Sequence, residues 1–276
     1  MDYVREALDK ANVSLDNAKP AVPLRPAPVL TVASPGEPRP VPVATPPWTA
    51  PQVQLDAKRL ERNRIVSFSM ADPSHVPFNM LRTRVRAAME ANNWKSIGIT
   101  SPSPGCGKTM VSINLAASLA RGADLRTVLI DFDLKRPSIA HTLGLSPTAT
   151  VTQVLAGKAE IGDCFVQIAP GLTVALGGGH IRESSELLQS ARAKDLLDFV
   201  NAKLSPDVIL FDLPPMGASD DVLALLPRID AALLVAAAGQ TTVTEIDNCE
   251  QQISQHGRFV GVVLNKAEIE TKDYYY

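Results

Sequence analysis

The stretch Ile99–Val111, ITSPSPGCGKTMV, carries a strand into a Pro/Gly turn and then opens a helix on Gly-Lys-Thr. Gly105 and Gly107 let backbone N–H groups curl round an anion where a Cβ would obstruct it. The start of the following helix adds a dipole that favours phosphate. In that setting Lys108 can reach the β/γ oxygens of a nucleotide and the Thr109 hydroxyl can ligate Mg²⁺. The first glycine of the usual GxxxxGK[ST] pattern is Pro102 here, so the strand–loop–helix context carries the reading. The expected ATP contacts are Ser103, Pro104, Gly105, Cys106, Gly107, Lys108, Thr109 and Met110.

Outward from this loop the text alternates between helix and strand. Phe78–Asn93 reads as helix and Ser96–Ser101 as strand; a helix follows from Lys108 to about Ala120, then the strand Thr127–Asp133. Ser184–Leu204 reads as one amphipathic helix capped by Ser184 or Ser185. Asp207–Leu213, Ala231–Ala237 and Phe259–Asn265 are further strands. Near-continuous Val/Ile/Leu runs mark strands buried on both faces, and their alternation with helices marks a parallel sheet. The fold class expected is α/β, a mostly parallel β-sheet flanked by helices on both faces. Ligands of such sheets sit at the carboxyl ends of the strands.

That globular region spans 54–266. Before it, 1–19 contains the spacing of a short helix at Val4, Ala7, Leu8 and Ala11. The segment 20–53 holds half of the 22 prolines and reads as an extended tether. The tail 267–276 ends in Tyr274, Tyr275 and Tyr276, three of the 4 tyrosines in the chain.

A net charge of −2 and a pI near 6.1 give no electrostatic ground for nucleic acid as a partner. Three scattered cysteines, Cys106, Cys164 and Cys249, fit a reducing cytosol better than a disulfide framework. No run approaches the length of a membrane span, and MDYVREALDK has no signal-peptide core, so the expected location is the cytoplasm.

Acids gather at the strand ends. In TVLIDFDLKRPSIA, Thr127–Ala140, Asp131 and Asp133 should share one face of a strand end. Two carboxylates so placed repel unless a cation or a proton-transfer role accounts for them. Asp212 ends the apolar strand before Pro214 and Pro215 and reads as a third acid, a ligand of Mg²⁺-bound water. Asn265 leaves the last strand with an amide able to pair with the edge of adenine.

Taken together, SPSPGCGKT, LIDFDLKRP, LFDLPP and the tyrosine tail resemble the bacterial tyrosine kinases (BY-kinases) of capsule and exopolysaccharide synthesis, relatives of the MinD/ParA P-loop ATPases. The resemblance covers about Val76 to Tyr276. It implies that Lys108 holds phosphates and that Thr109, Asp131 and Asp212 organise Mg²⁺. Asp131 or Asp133 would serve as base or orienting acid for an incoming tyrosine. By the same resemblance Tyr274, Tyr275 and Tyr276 are autophosphorylation sites and ATP is the donor. The implied partners are a separate membrane-embedded polysaccharide chain-length or export protein, further copies of the chain and a phosphotyrosine phosphatase. Departures are visible as well. The Glu–aromatic–Arg signature of the family's ring contact reads Val76, Phe78 and Asn79 here, and the usual loop Glu is Cys106. Ser103 stands where MinD/ParA ATPases place a signature lysine, which separates the kinase reading from a MinD/ParA-like dimerising ATPase. A nucleotide-binding scaffold without turnover is the third reading.

Overall fold

The computed structural model of the chain describes residues 49–70, 73–121, 125–179, 181 and 184–267. The expected helix within 1–19, most of the 20–53 tether and the three terminal tyrosines lie outside the described residues. In chain order the elements are α1 (Ala57–Arg62), α2 (Val76–Asn92), β1 (Ser96–Thr100), α3 (Lys108–Arg121), β2 (Thr127–Asp131), α4 (Ile139–Leu143) and α5 (Val151–Leu155). They continue as β3 (Phe165–Ala169), β4 (Leu172–Ala175), α6 (Ser184–Gln189), α7 (Ala191–Phe199), β5 (Val208–Asp212), α8 (Asp221–Leu225), β6 (Ala231–Ala237), α9 (Val243–His256) and β7 (Phe259–Asn265).

The strands form one sheet in the order β3-β4-β2-β5-β1-β6-β7. Every pairing is parallel except β3 with β4. Alternation along each strand divides the apolar side chains between two cores, one on each face. Val128, Ile130, Ile209, Phe211, Ala232 and Leu234 face one core with α7 and α9, where the rings of Phe132 and Phe211 stack at 5.3 Å. Leu129, Leu210, Leu233 and Val235 face the other with α2 and α3. Gly98 sits where an added Cβ would meet Ile229 and Leu213 at 2.6 and 2.7 Å, so β1 can pass beneath those side chains only without one.

Three expectations are corrected. The strand read as Thr127–Asp133 ends at Asp131, and Asp133 lies in the turn beyond. The helix read as Ser184–Leu204 is broken: Ser190 is extended and its hydroxyl accepts from Ala193 N, capping α7 rather than continuing α6. Neither Ser184 nor Ser185 is the cap, since both lie within α6, and Ser184 Oγ donates instead to Asp221 Oδ2 at 2.6 Å. A five-residue π-turn, Val200–Leu204, then closes the segment. The antiparallel pair β3–β4 had no counterpart in the sequence reading; it pairs locally and widens the sheet. On its outer edge Pro51 O accepts from Gln167 N and Val53 N donates to Gln167 O, so the end of the tether region pairs with β3.

The amino end of β1 is tied to the turn before β6 by one carboxylate. Asp230 Oδ2 accepts from Lys95 N, Ser96 N and Ser96 Oγ, each at 2.8 Å. Hydrogen bonds to a charged group contribute more than neutral ones. Asp230→Ala should therefore lower unfolding stability by about 2 kcal/mol, read from the shift of a urea midpoint at unchanged slope.

Candidate active site

The loop between β1 and α3 takes its shape from two left-handed glycines, Gly105 at φ 83° and Gly107 at φ 91°. It is braced from behind by the chain leaving β5. Met216 N donates to Ser101 O, Gly217 N to Pro102 O, and Thr100 Oγ1 to Pro214 O. Asn265, at the end of β7, donates from Nδ2 to Cys106 O at 2.8 Å. A Cβ on Gly107 would collide with that same amide, so glycine is required there by contact as well as by φ.

Around the loop lies a cavity of about 600 Å³. Of the expected nucleotide residues, Pro104, Gly105, Gly107, Lys108, Thr109 and Met110 line it, together with Asp133, Lys135 and Arg136. Ser103, Cys106, Asp131, Asp212 and Asn265 are not in that lining: Cys106, Asp131 and Asp212 are buried, and Asn265 lines an adjoining cavity. Cys106 is buried, with Sγ 3.6 Å from Ser103 Oγ and 3.7 Å from Thr241 Oγ1. Burial raises its proton affinity, but the hydrogen bonds from Ser103 and Thr241 outweigh this and leave the thiol below its ordinary pKa.

The three acids meet because of strand register. Asp131 and Asp212 are directly opposite one another across the parallel pair β2–β5. Asp133 joins them through the turn rather than the pleat. Its Oδ1 accepts from Arg136 N at 2.9 Å, and its Oδ2 takes the Lys108 ammonium at 2.7 Å. Thr109 Oγ1 donates to Asp212 Oδ2 at 2.6 Å and Ser112 Oγ donates to Asp212 Oδ1 at 3.0 Å. Asp131 Oδ2 accepts from Ser138 N and Ile139 N, both at 3.1 Å, whereas its Oδ1 is buried without a hydrogen-bond partner.

Charge follows from this geometry. Burial pushes the Asp131 carboxyl well above the usual carboxylate range, and the neighbouring Asp212 adds repulsion. Asp212 is also raised by burial, against the pull of Lys108 and the Thr109 hydrogen bond. For Lys108 burial favours the neutral amine, but Asp212 and Asp133 outweigh it and hold the ammonium above its ordinary pKa. Among the described residues no three His, Cys, Asp or Glu side chains form a metal cage by themselves. The donors present, one hydroxyl and one or two carboxylates beside a phosphate loop, suit Mg²⁺, which takes its remaining ligands from phosphate oxygens and water. The unpartnered Asp131 Oδ1 fits that demand.

Several contributors escaped the sequence reading. Ser112 lies one helical turn after Lys108 and faces Asp212. Ser138 N–H holds Asp131, and its hydroxyl meets Thr109 Oγ1 at 2.8 Å. Gly177 approaches Asp131 so closely that a Cβ would lie 2.8 Å from the carboxyl carbon. The run Gly177–Gly179 was the available signal for this last contact. Asn79, at a position of the altered ring signature, accepts from Ser118 Oγ and from Arg121 within the same chain.

The family described as CobQ/CobB/MinD/ParA nucleotide binding domain matches residues 97–274. The chain is 34% identical over 201 residues to the tyrosine-protein kinase CpsD of Streptococcus pneumoniae serotype 4, covering 71% of this chain and 86% of that protein. It is 32% identical over 208 residues to the putative tyrosine-protein kinase EpsB of Ralstonia nicotianae, of which it covers 27%. The kinase domain of the Escherichia coli tyrosine kinase ETK superposes with a TM-score of 0.65 at 32% identity, over 75% of this chain and 82% of that one.

Crowding acids costs stability. A carboxyl whose folded pKa exceeds its unfolded value near 3.9 binds more protons in the folded state, so stability falls as pH rises through the folded pKa. Asp131→Asn keeps an acceptor for Ser138 and Ile139 while removing one of two facing charges. The variant should be about 1–3 kcal/mol more stable than wild type at pH 7.5 in chemical denaturation. That gain should shrink as the pH is lowered towards 4.

Proposed function

The chain belongs to the CobQ/CobB/MinD/ParA nucleotide-binding family and, within it, to the bacterial tyrosine-protein kinases, and from that premise we propose that it phosphorylates its own tyrosines Tyr274, Tyr275 and Tyr276 from ATP. The observation that carries this reading is Lys108 held at 2.7 Å from Asp133 beside the buried pair Asp131–Asp212, at the mouth of a glycine-shaped loop.

In this reading backbone N–H groups of Gly105–Thr109 and the α3 N-terminus receive the phosphates. Lys108 exchanges Asp133 for phosphate oxygens and stabilises charge on the transferring group. Thr109 and Asp212, with Asp131 behind them, are the residues that would hold Mg²⁺, whose chemistry is to neutralise charge shared by the β- and γ-phosphates. Asn265 keeps Nδ2 on the loop and leaves Oδ1 to accept from adenine's amino group. A tyrosine Oη attacks the γ-phosphorus, the bond to the β–γ bridging oxygen breaks, and ADP leaves with that electron pair. The phenol proton passes to a carboxylate. Asp131 suits this role because its proton affinity is raised. The ten residues from Ala267 to Tyr276 span at most about 35 Å when extended, enough to reach the cavity.

By the motif resemblance, we also place the reaction in the control of capsule or exopolysaccharide polymerisation and export, at the cytoplasmic face of the membrane. A membrane-embedded export protein would activate it, self-association would accompany it, and a phosphatase would reverse it. Among the described residues no helix is long and apolar enough to cross a membrane.

Incubated with Mg²⁺ and ATP, the protein should acquire phosphotyrosine, mapped by mass spectrometry to Tyr274–Tyr276. Lys108→Ala should reduce the rate by about 10²–10³-fold, and Tyr→Phe at all three positions should abolish the signal. Phosphate release to water with no phosphotyrosine would overturn the kinase reading in favour of a hydrolysing ATPase.

A further inference from the structure

A second cavity, of about 650 Å³, adjoins the nucleotide loop. It shares Asn63, Gly107 and Met110 with the first cavity and is lined also by Asn265, and its outer wall is basic, made by Arg62, Arg64 and Lys266. All three side chains are exposed. Among the described residues neither Arg62 nor Arg64 pairs with a carboxylate, while Lys266 Nζ donates to a neutral partner, Gln240 Oε1, at 3.2 Å.

This wall is built rather than incidental. Arg64 has a left-handed backbone, φ 57°, that ends α1: Ile65 N donates to Leu60 O at 2.8 Å and Arg64 N to Glu61 O at 2.9 Å. The turn that follows is tied down by Asn114, fully buried on α3, the helix that begins at Lys108. Its Oδ1 accepts from Val66 N and Ser67 N at 2.8 and 2.9 Å, and its Nδ2 donates to Arg64 O at 3.0 Å. From the other side Asn63 Nδ2 donates to Thr142 O at 2.7 Å. The two arginines are thus fixed relative to the phosphate loop.

The described chain reaches Ala267 in the wall of this same cavity, and the sequence that follows is EIETKDYYY. It places three acids, Glu268, Glu270 and Asp273, before the tyrosines, with one lysine among them. Glu268 and Glu270 are two and four residues past Lys266, within about 7 and 14 Å of it along an extended chain. The tyrosines come eight to ten residues past it, far enough to enter the nucleotide cavity.

We propose that Arg62, Arg64 and Lys266 form a docking wall for the acidic segment Glu268–Asp273, which delivers the tyrosines behind it to the phosphoryl donor. The wall selects acceptor tyrosines preceded by acidic residues. The proposal rests on the autokinase reading for its purpose, but the contact itself is testable without catalysis.

The binding probe is a labelled peptide, AEIETKDFFF, which cannot be phosphorylated. Its target is the full chain carrying Glu268→Gln, Glu270→Gln and Asp273→Asn, so that its own tail does not compete. Fluorescence anisotropy at low salt should give an affinity about three- to tenfold weaker when Arg62→Gln and Arg64→Gln are added. The difference should shrink as salt is raised to 0.5 M. Arg62→Glu with Arg64→Glu should reverse the preference towards a peptide whose acids are replaced by lysine. Equal affinities across these proteins would overturn the docking wall. In the otherwise unmodified chain, neutralising either the arginines or the acids should slow phosphorylation of Tyr274–Tyr276 three- to tenfold. Neutralising both should slow it no further. Additive losses would also overturn the proposal. Absence of any phosphotyrosine would instead count against the autokinase reading, leaving the anisotropy result to decide the wall.

Discussion

Two buried carboxylates facing each other across a parallel strand pair are the constraint around which the site is organised. The register of β2 against β5 sets Asp131 opposite Asp212, about one strand spacing apart in a low-dielectric interior. Nothing in sheet formation favours that arrangement. It persists because Lys108, Thr109, Ser112 and two backbone N–H groups divide the charge among them. The rest of the site serves this balance, from Asp133 fixing the lysine to Gly177 leaving room for Asp131.

The same balance accounts for the reactivity proposed. A lysine already shared between carboxylates can be transferred to phosphate with little rearrangement, because its new partners carry charge of the same sign. Raised proton affinity at Asp131 lies on the side that suits accepting a phenolic proton. Stability is given up to keep the charges together, a trade commonly concentrated at functional sites.

Rigidity around the loop comes from side chains remote in sequence. Asn114 locks the Arg62–Ser67 turn against α3, and Asn265 locks β7 against the loop. Helix α3 therefore links the glycine-shaped loop at one end to the segment carrying Arg64 along its flank. Asn79, where the family's ring signature would present a charge, is instead occupied in bonds to Ser118 and Arg121.

Periodicity and punctuation alone determined the alternating α/β architecture, the glycine-shaped loop and the acidic strand ends, because each depends on residues close in the chain. Apolar runs specify buried strands, and Gly-Lys-Thr after a strand specifies an anion-binding turn. Long-range choices were invisible. The break at Ser190 depends on its hydroxyl capping a new helix, and the antiparallel β3–β4 edge on a pairing between two short, ordinary segments. Asp133 was expected beside Asp131 by strand alternation, whereas a turn and its ion pair with Lys108 bring it to the cavity. Only the tertiary structure could join Asn114 to Arg64, Asn265 to Cys106 and Gly177 to Asp131, because those contacts are set by sheet order and register.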